Sequence, residues 1–208
     1  MASQLRVDKI LPVDGAPTSG GGGIVQVKQT VKTDVFSTST TGDTLDVTGV
    51  TVTITPKFST SKIFVMISGY YSNDNNDSFA HLFLARSIGG GTVDNTIAIG
   101  DARSGTTRAT MGAALRSGGG QSNNISRHFG CQFLDSPNTT SSVEYKLRML
   151  VTQGTPAVIG GAADGGNDAN RGSYPTFITA MEVSAYCQNS EPIESYQETD
   201  SHLEVVVV

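Results

Sequence analysis

Strict two-residue alternation is the feature of this sequence that most constrains its fold. Across residues 143–151, Val143, Tyr145, Leu147, Met149 and Val151 fall on one side, while Glu144, Lys146 and Arg148 fall on the other. Successive side chains of a β-strand point to opposite faces, so this pattern is that of a half-buried strand. Residues 47–54 repeat it, with Val50, Val52 and Ile54 set against Thr51 and Thr53. Residues 62–68 are apolar on both faces, which predicts a strand with neighbours on either side, and residues 79–86 read the same way. Strands are further expected at 24–31, 96–99, 125–134 and 176–185. Residues 125–134 and 143–151 are expected to pair with each other. The face of the last strand that carries Phe177, Thr179, Met181 and Val183 is a single side. No segment shows helical periodicity with caps; residues 109–115 come nearest, and Gly112 weakens them.

About eight strands separated by glycine- and Asx-rich loops predict an all-β chain, an antiparallel β-sandwich of the jelly-roll kind. Charged residues are only 16% of the chain and there are 24 glycines, which suits strands and turns. Three regions are expected: a docking arm and glycine hinge at 1–23, the sandwich at 24–187, and an extended tail at 188–208. The arm sets Leu5, Val7, Ile10 and Leu11 on a polar background and is followed by glycines 20–23. That is enough apolar surface for one strand or docking peptide and too little for a core. The tail is polar and acidic until Val205, Val206, Val207 and Val208, which need burial against this domain or another chain to avoid aggregation.

The net charge of −5 and the lack of a Lys/Arg stripe speak against nucleic acid. No apolar run reaches the roughly 20 residues that span a bilayer, and no Sec-type signal is expected, so synthesis in a cytoplasm and no membrane insertion are expected. Cys131 and Cys187 read as two small buried hydrophobes. The acid-rich stretches 73–77 and 164–168 offer oxygen ligands, but neither has EF-hand spacing and turn chemistry accounts for both, so no metal is expected. His81, His128 and His202 are far apart, and His81 and His128 sit in strand patterns. No GxSxG, HExxH or CxxC motif is present, and the glycine runs lack the Lys-Ser/Thr ending of a phosphate loop, so neither catalysis nor a cofactor is expected.

Long loops inside a compact domain carry function or meet a neighbouring subunit. Tyr70 and Tyr71 abut Asp74, Asn76 and Asp77. Arg103 and Arg108 flank a Ser/Gly/Thr stretch, and Asp168, Arg171 and Tyr174 lie in the loop 154–175. Aromatic faces beside Asp, Asn and Arg suit a sugar, which presents apolar C–H faces as well as hydroxyls. The nine residues Tyr70, Tyr71, Asp74, Asn76, Asp77, Arg103, Asp168, Arg171 and Tyr174 are therefore candidate glycan contacts.

Four stretches carry a family resemblance: SQLRVDKILPVDGAP with the following glycines and IVQVKQT, then TVTITPKFSTSKIFVMISGYYS, TSSVEYKLRML and SYPTFITAMEV. Over roughly residues 3–185 the chain resembles short structural proteins of cyanophages and other marine tailed phages. The resemblance implies a virion protein, assembled in the host cytoplasm, whose N-terminal peptide is virion-proximal and whose β-sandwich belongs to fibre and surface proteins. It implies no catalytic residues. No repetitive shaft separates arm from body, so a short tail fibre, a fibre tip on an adaptor or nozzle, and a capsid decoration (cement) protein all fit. A homotrimer that presents loops to a host surface glycan is expected for the fibre reading, and contacts to capsid subunits for the other.

Overall fold

The computed structural model describes residues 23–73, 77–116, 126–163 and 171–184. Within them lie ten strands: β1 (Ile24–Lys32), β2 (Phe36–Thr38), β3 (Thr44–Ile54), β4 (Lys62–Asn73), β5 (Asp77–Ile88), β6 (Met111–Arg116), β7 (Arg127–Asp135), β8 (Val143–Gln153), β9 (Ala157–Ile159) and β10 (Thr176–Val183). All pair antiparallel. The first sheet runs β1-β10-β4, with β7 on the other edge of β4; the short β9 and β2 continue it past the start of β10. The second sheet runs β3-β8-β5-β6. Only β5 and β6 are neighbours both in sequence and in a sheet; every other long strand pairs with one from elsewhere in the chain. Eight long strands wired in this way form a jelly-roll β-sandwich.

The alternation read in the sequence builds the core. Val143, Tyr145, Leu147, Met149 and Val151 of β8 are all buried and face Ile63, Val65 and Ile67 of β4 and Ile178 and Ala180 of β10 across the sandwich. β4 has β10 and β7 on its two sides, as its two-sided apolar sequence predicts.

Four sequence expectations differ from the structure. Strand β7 pairs with β4, and β8 with β3 and β5, so the expected β7–β8 pair lies split between the sheets. Both strands alternate, and alternation says which face is buried without saying against which neighbour. Residues 96–99 form no strand; Ile97 and Ala98 pack against the core from a loop, so their apolarity reflects burial without a ladder. The stretch nearest to a helix contributes β6, which pairs with β5 along Asp77–Leu82, and Gly112 sits opposite His81. Here sheet pairing overrides local propensity. Strand β3 starts earlier than expected, at Thr44, because a register shift between Asp46 and Thr51 interrupts its alternation around Gly49.

The two ends of the sandwich differ in what they carry. Ile24 and Lys62 both pair with Val183, and the Ser184 amide donates to the Gly23 carbonyl at 3.2 Å. The segments before Gly23 and after Ser184 therefore leave side by side from one corner. At this end Asp135 of β7, buried, accepts from Arg86 Nη1 on both oxygens at 2.8 Å and from the Tyr145 hydroxyl at 2.7 Å. These three residues tie the first sheet to the second. Burial pushes the Tyr145 hydroxyl well above the ordinary tyrosine range, and the carboxylate it donates to adds to the shift.

A second buried carboxylate, Glu182 of β10, accepts from Gln26 Nε2 at 2.6 Å and from the amides of Lys57 and Phe58 at 2.7 and 3.3 Å. Burial alone would raise its pKa; the donors from Gln26, Lys57 and Phe58 outweigh it and hold the carboxyl below its ordinary range.

Candidate functional site

The opposite end is where β4 and β8 finish and where β5, β7 and β10 begin, about 27 Å along β4 from Lys62 to Tyr70. There Tyr70 of β4 stacks on Tyr174, with ring centroids 4.3 Å apart and planes at 29°. His128 of β7, directly opposite Tyr70 in the ladder, meets the Tyr70 ring edge-on at 5.4 Å and 72°. Both geometries are the ones aromatic quadrupoles favour. The tyrosines are half-buried and His128 is exposed, so the cluster offers ring surface, two phenol hydroxyls and an imidazole to solvent.

Backbone geometry holds the cluster. Gly160 donates its amide to the Tyr70 carbonyl at 2.9 Å and accepts from the Tyr174 amide at 2.8 Å, which joins the two tyrosines through one residue. Its φ of +86° is costly for other residues, and a Cβ there would lie 3.0 Å from the Tyr174 carbonyl oxygen. Gly172 lets the Tyr174 ring fold back over its own chain, since a Cβ at that position would come within 2.1 Å of the ring. The glycines that read as loop backbone in the sequence thus place an aromatic side chain.

Two hollows flank His128. One, about 370 Å³, opens between β6 and β7 and is lined by Tyr71, Gly112, Ala113, Arg127 and Phe129. The other, about 530 Å³, is a groove on the outer face over Met66, Ser68, Gly130 and Gln132. Gly130 opens this groove because it has no side chain opposite Ser68. Ser68 Oγ lies 3.0 Å from His128 Nε2. That pair resembles a nucleophile and base, but among the described residues no carboxylate orients the ring. It is a diagonal cross-strand contact. No group of three or more His, Cys, Asp or Glu side chains among the described residues is placed to hold a metal.

The nine candidate contacts separate. Tyr70 and Tyr174 meet, and Arg171 precedes Tyr174 in the same segment, half-buried. Tyr71 is fully buried in the core, where its hydroxyl accepts from Asn73 Nδ2 at 3.4 Å, so it is no ligand platform; adjacent residues of a strand face opposite ways, and only one of two neighbouring tyrosines can face out. Arg103 is exposed in the β5–β6 loop, which leaves β5 at the end that carries Gly23 and Ser184, so it does not join the cluster. Its carbonyl accepts from the amide of Thr106, and Arg108 Nε donates to Gly100 within the same loop. Asp77 opens β5 opposite Arg116. Asp74, Asn76 and Asp168 lie outside the described residues, as do Leu5, Val7, Ile10, Leu11, Val205, Val206, Val207, Val208, Cys187 and His202. Cys131 is half-buried on the inner face of β7, and burial pushes its thiol pKa up.

Ser68 and Gln132 are additions that the sequence did not single out, and His128, read there only as a histidine within a strand, joins them. Their placement beside Tyr70 depends on the β4–β7 register, and no local pattern encodes that register.

The described residues thus define a jelly-roll β-sandwich domain with an aromatic cluster at the end away from its termini. No family model matches the sequence, and no curated protein matches it. Among solved structures the chain is similar to the infectious bursal disease virus Gx strain, at 12% identity and a TM-score of 0.33, over 77% of this chain and 40% of that one. It is also similar to the VP2 subviral particle of infectious bursal disease virus, at 12% identity and a TM-score of 0.36, over 89% of this chain and 46% of that one. The chain spans less than half the length of these relatives, and likeness this low carries no argument about function.

Proposed function

We propose that the protein is a non-catalytic structural component of a tailed-phage virion, a short tail-fibre or receptor-binding subunit. The observation that carries this reading is the polarity of the domain. Arm and tail leave from one corner, at the end tied by Asp135 and Glu182, and the Tyr70–Tyr174–His128 cluster sits at the other end. An attachment subunit needs this separation: one end fixed to the particle, the other presented to a cell. In this reading Leu5, Val7, Ile10 and Leu11 dock on a virion component such as a tail adaptor. A homotrimer then multiplies weak contacts between the cluster and a host surface glycan. The ring faces take the apolar side of a sugar, and the hydroxyls of Tyr70, Tyr174 and Ser68 with the amide of Gln132 take its polar groups.

The capsid-decoration reading has one observation in its favour. Val27, Met181, Phe64 and Leu134 form an apolar row across the outer face of the first sheet, and a cement protein needs apolar surface to lie on a shell. Host-cell adsorption of the recombinant full chain separates the two. Saturable adsorption that Tyr70→Ala with Tyr174→Ala abolishes is the outcome expected for a receptor-binding subunit. Absence of adsorption by the parent chain at high concentration favours decoration.

A further inference from the structure

Strands β6 and β7 are edge strands, one in each sheet: among the described residues β6 pairs only with β5, and β7 only with β4. The hollow of about 370 Å³ lies in the seam between them. Its walls on the core side are apolar, formed by the buried Tyr71, Ala113 and Phe129. Arg127 joins this lining. It stands opposite Tyr71 in the ladder and shares the inward parity of Phe129 and Cys131, yet it is exposed, because it opens β7 at the mouth of the seam. His128, the next residue, lines the same hollow. Consecutive residues face opposite sides of a strand, so a hollow lined by both wraps around the free edge of β7.

The charge of Arg127 has no counterpart. Lys32, Arg86, Lys146 and Arg148 each engage a carboxylate, at 2.6, 2.8, 3.2 and 2.6 Å. Arg127 makes no ion pair or hydrogen bond among the described residues, and no described carboxylate lines the hollow. His128 links this place to the aromatic cluster, since its ring also meets Tyr70 edge-on at 5.4 Å. A ligand on the tyrosines can therefore reach the imidazole and the guanidinium as well.

We infer that this hollow takes an acidic substituent of the surface glycan, a carboxylate or a sulfate ester, and that Arg127 selects it. The planar guanidinium fork matches two oxygens of either group. The apolar walls keep water from one side of the contact, which strengthens it. At a net charge of −5 the chain as a whole repels anions, so selection falls to this local cation. The inference deepens the glycan part of the proposed function and rests on it. An inward-pointing charge on an edge strand also discourages edge-to-edge pairing, and the test separates that role from recognition.

Nuclear magnetic resonance on the full chain is the test, with D-glucuronate, D-glucose sulfate and D-glucose as probes. Saturable shifts of the His128 imidazole and Arg127 side-chain signals are expected with an acidic sugar, at an affinity about tenfold above that for glucose. A response to glucuronate alone, or to the sulfate alone, identifies the acidic group. Added salt should weaken the binding, because the guanidinium is exposed. Arg127→Gln is expected to weaken acidic-sugar binding about tenfold and to leave glucose binding unchanged, and Arg127→Lys to fall between. Should the Gln variant not fold, the three sugars on the parent chain still decide. No shift at His128 with either acidic sugar, or glucose bound as tightly as glucuronate, overturns the inference. A Gln variant that self-associates and keeps the acidic sugar also overturns it and assigns Arg127 to edge protection. Host-cell adsorption that persists in Arg127→Gln and under excess glucuronate and glucose sulfate keeps the receptor reading and removes the acidic class. Acidic-sugar binding by a chain that adsorbs to no cell keeps the site and removes only the receptor reading.

Discussion

The two ends of the sandwich solve opposite problems. At the end that carries Gly23 and Ser184, buried carboxylates are fully engaged: Asp135 by Arg86 and Tyr145, Glu182 by Gln26 and two backbone amides. Each joins segments distant in sequence, and Asp135 is the more expensive to lose, because the buried Tyr145 hydroxyl is left without its acceptor and Arg86 keeps only Asp94 at 3.8 Å. At the other end, aromatic rings stack half in solvent, held by the backbone of Gly160 and the space left by Gly172. Little free energy of folding resides there. The first end resists load where arm and tail depart, and the second is free to serve recognition.

Substitutions at the two ends should therefore separate stability from binding. Asp135→Ala is the most damaging: it strips Arg86 and Tyr145 of their shared partner and should cost about 3–5 kcal/mol in denaturant unfolding. Glu182→Gln follows at about 1–3 kcal/mol, because the new amide turns a donor toward Gln26. Glu182 also has a pH signature. Its folded pKa lies below the ordinary value, so its contribution is complete above the unfolded pKa of about 4.3 and is lost as pH falls through the folded value. The melting temperature of the parent should accordingly fall more steeply below about pH 4.3 than that of the Gln variant. Parallel curves would mean that the network does not act through the charge.

At the far end the expected effects on stability are smaller. Tyr70→Ala with Tyr174→Ala removes a stacked pair worth about 0.5–1.5 kcal/mol beyond its area and should reduce adsorption to background while the domain stays folded. Gly172→Ala should leave the melting temperature nearly unchanged. It displaces the Tyr174 ring and should weaken adsorption about tenfold, or about 1.4 kcal/mol. Adsorption that survives both changes would move recognition away from this cluster.

The difference between the ends also shows what was legible in the sequence. Strand existence was readable in both β8 and β4, and the buried face in β8, where alternation is uninterrupted, because period two is a local property; β4, apolar on both faces, announced a central strand without saying which face is buried. Pairing was not: β7 lies next to β4 because of chain crossovers that no local window records. For the same reason the site was half legible. Tyr70 and Tyr174 stood out by type, but Tyr71 looked equivalent until strand geometry turned it into the core, and His128 entered only through the register. Arg103 was misplaced because nearness of loops in sequence does not say at which end of a sandwich they emerge.

Incorporation into virions tests the polarity of the molecule most directly. A chain lacking residues 1–19 and a full chain with Tyr70→Ala and Tyr174→Ala would each be supplied during infection and sought in purified particles. The truncated chain is expected to be folded but absent from particles, and the tyrosine variant to be present on particles that adsorb poorly. Normal incorporation of the truncated chain, or normal adsorption by particles carrying only the tyrosine variant, would contradict the assignment of mounting to one end and recognition to the other.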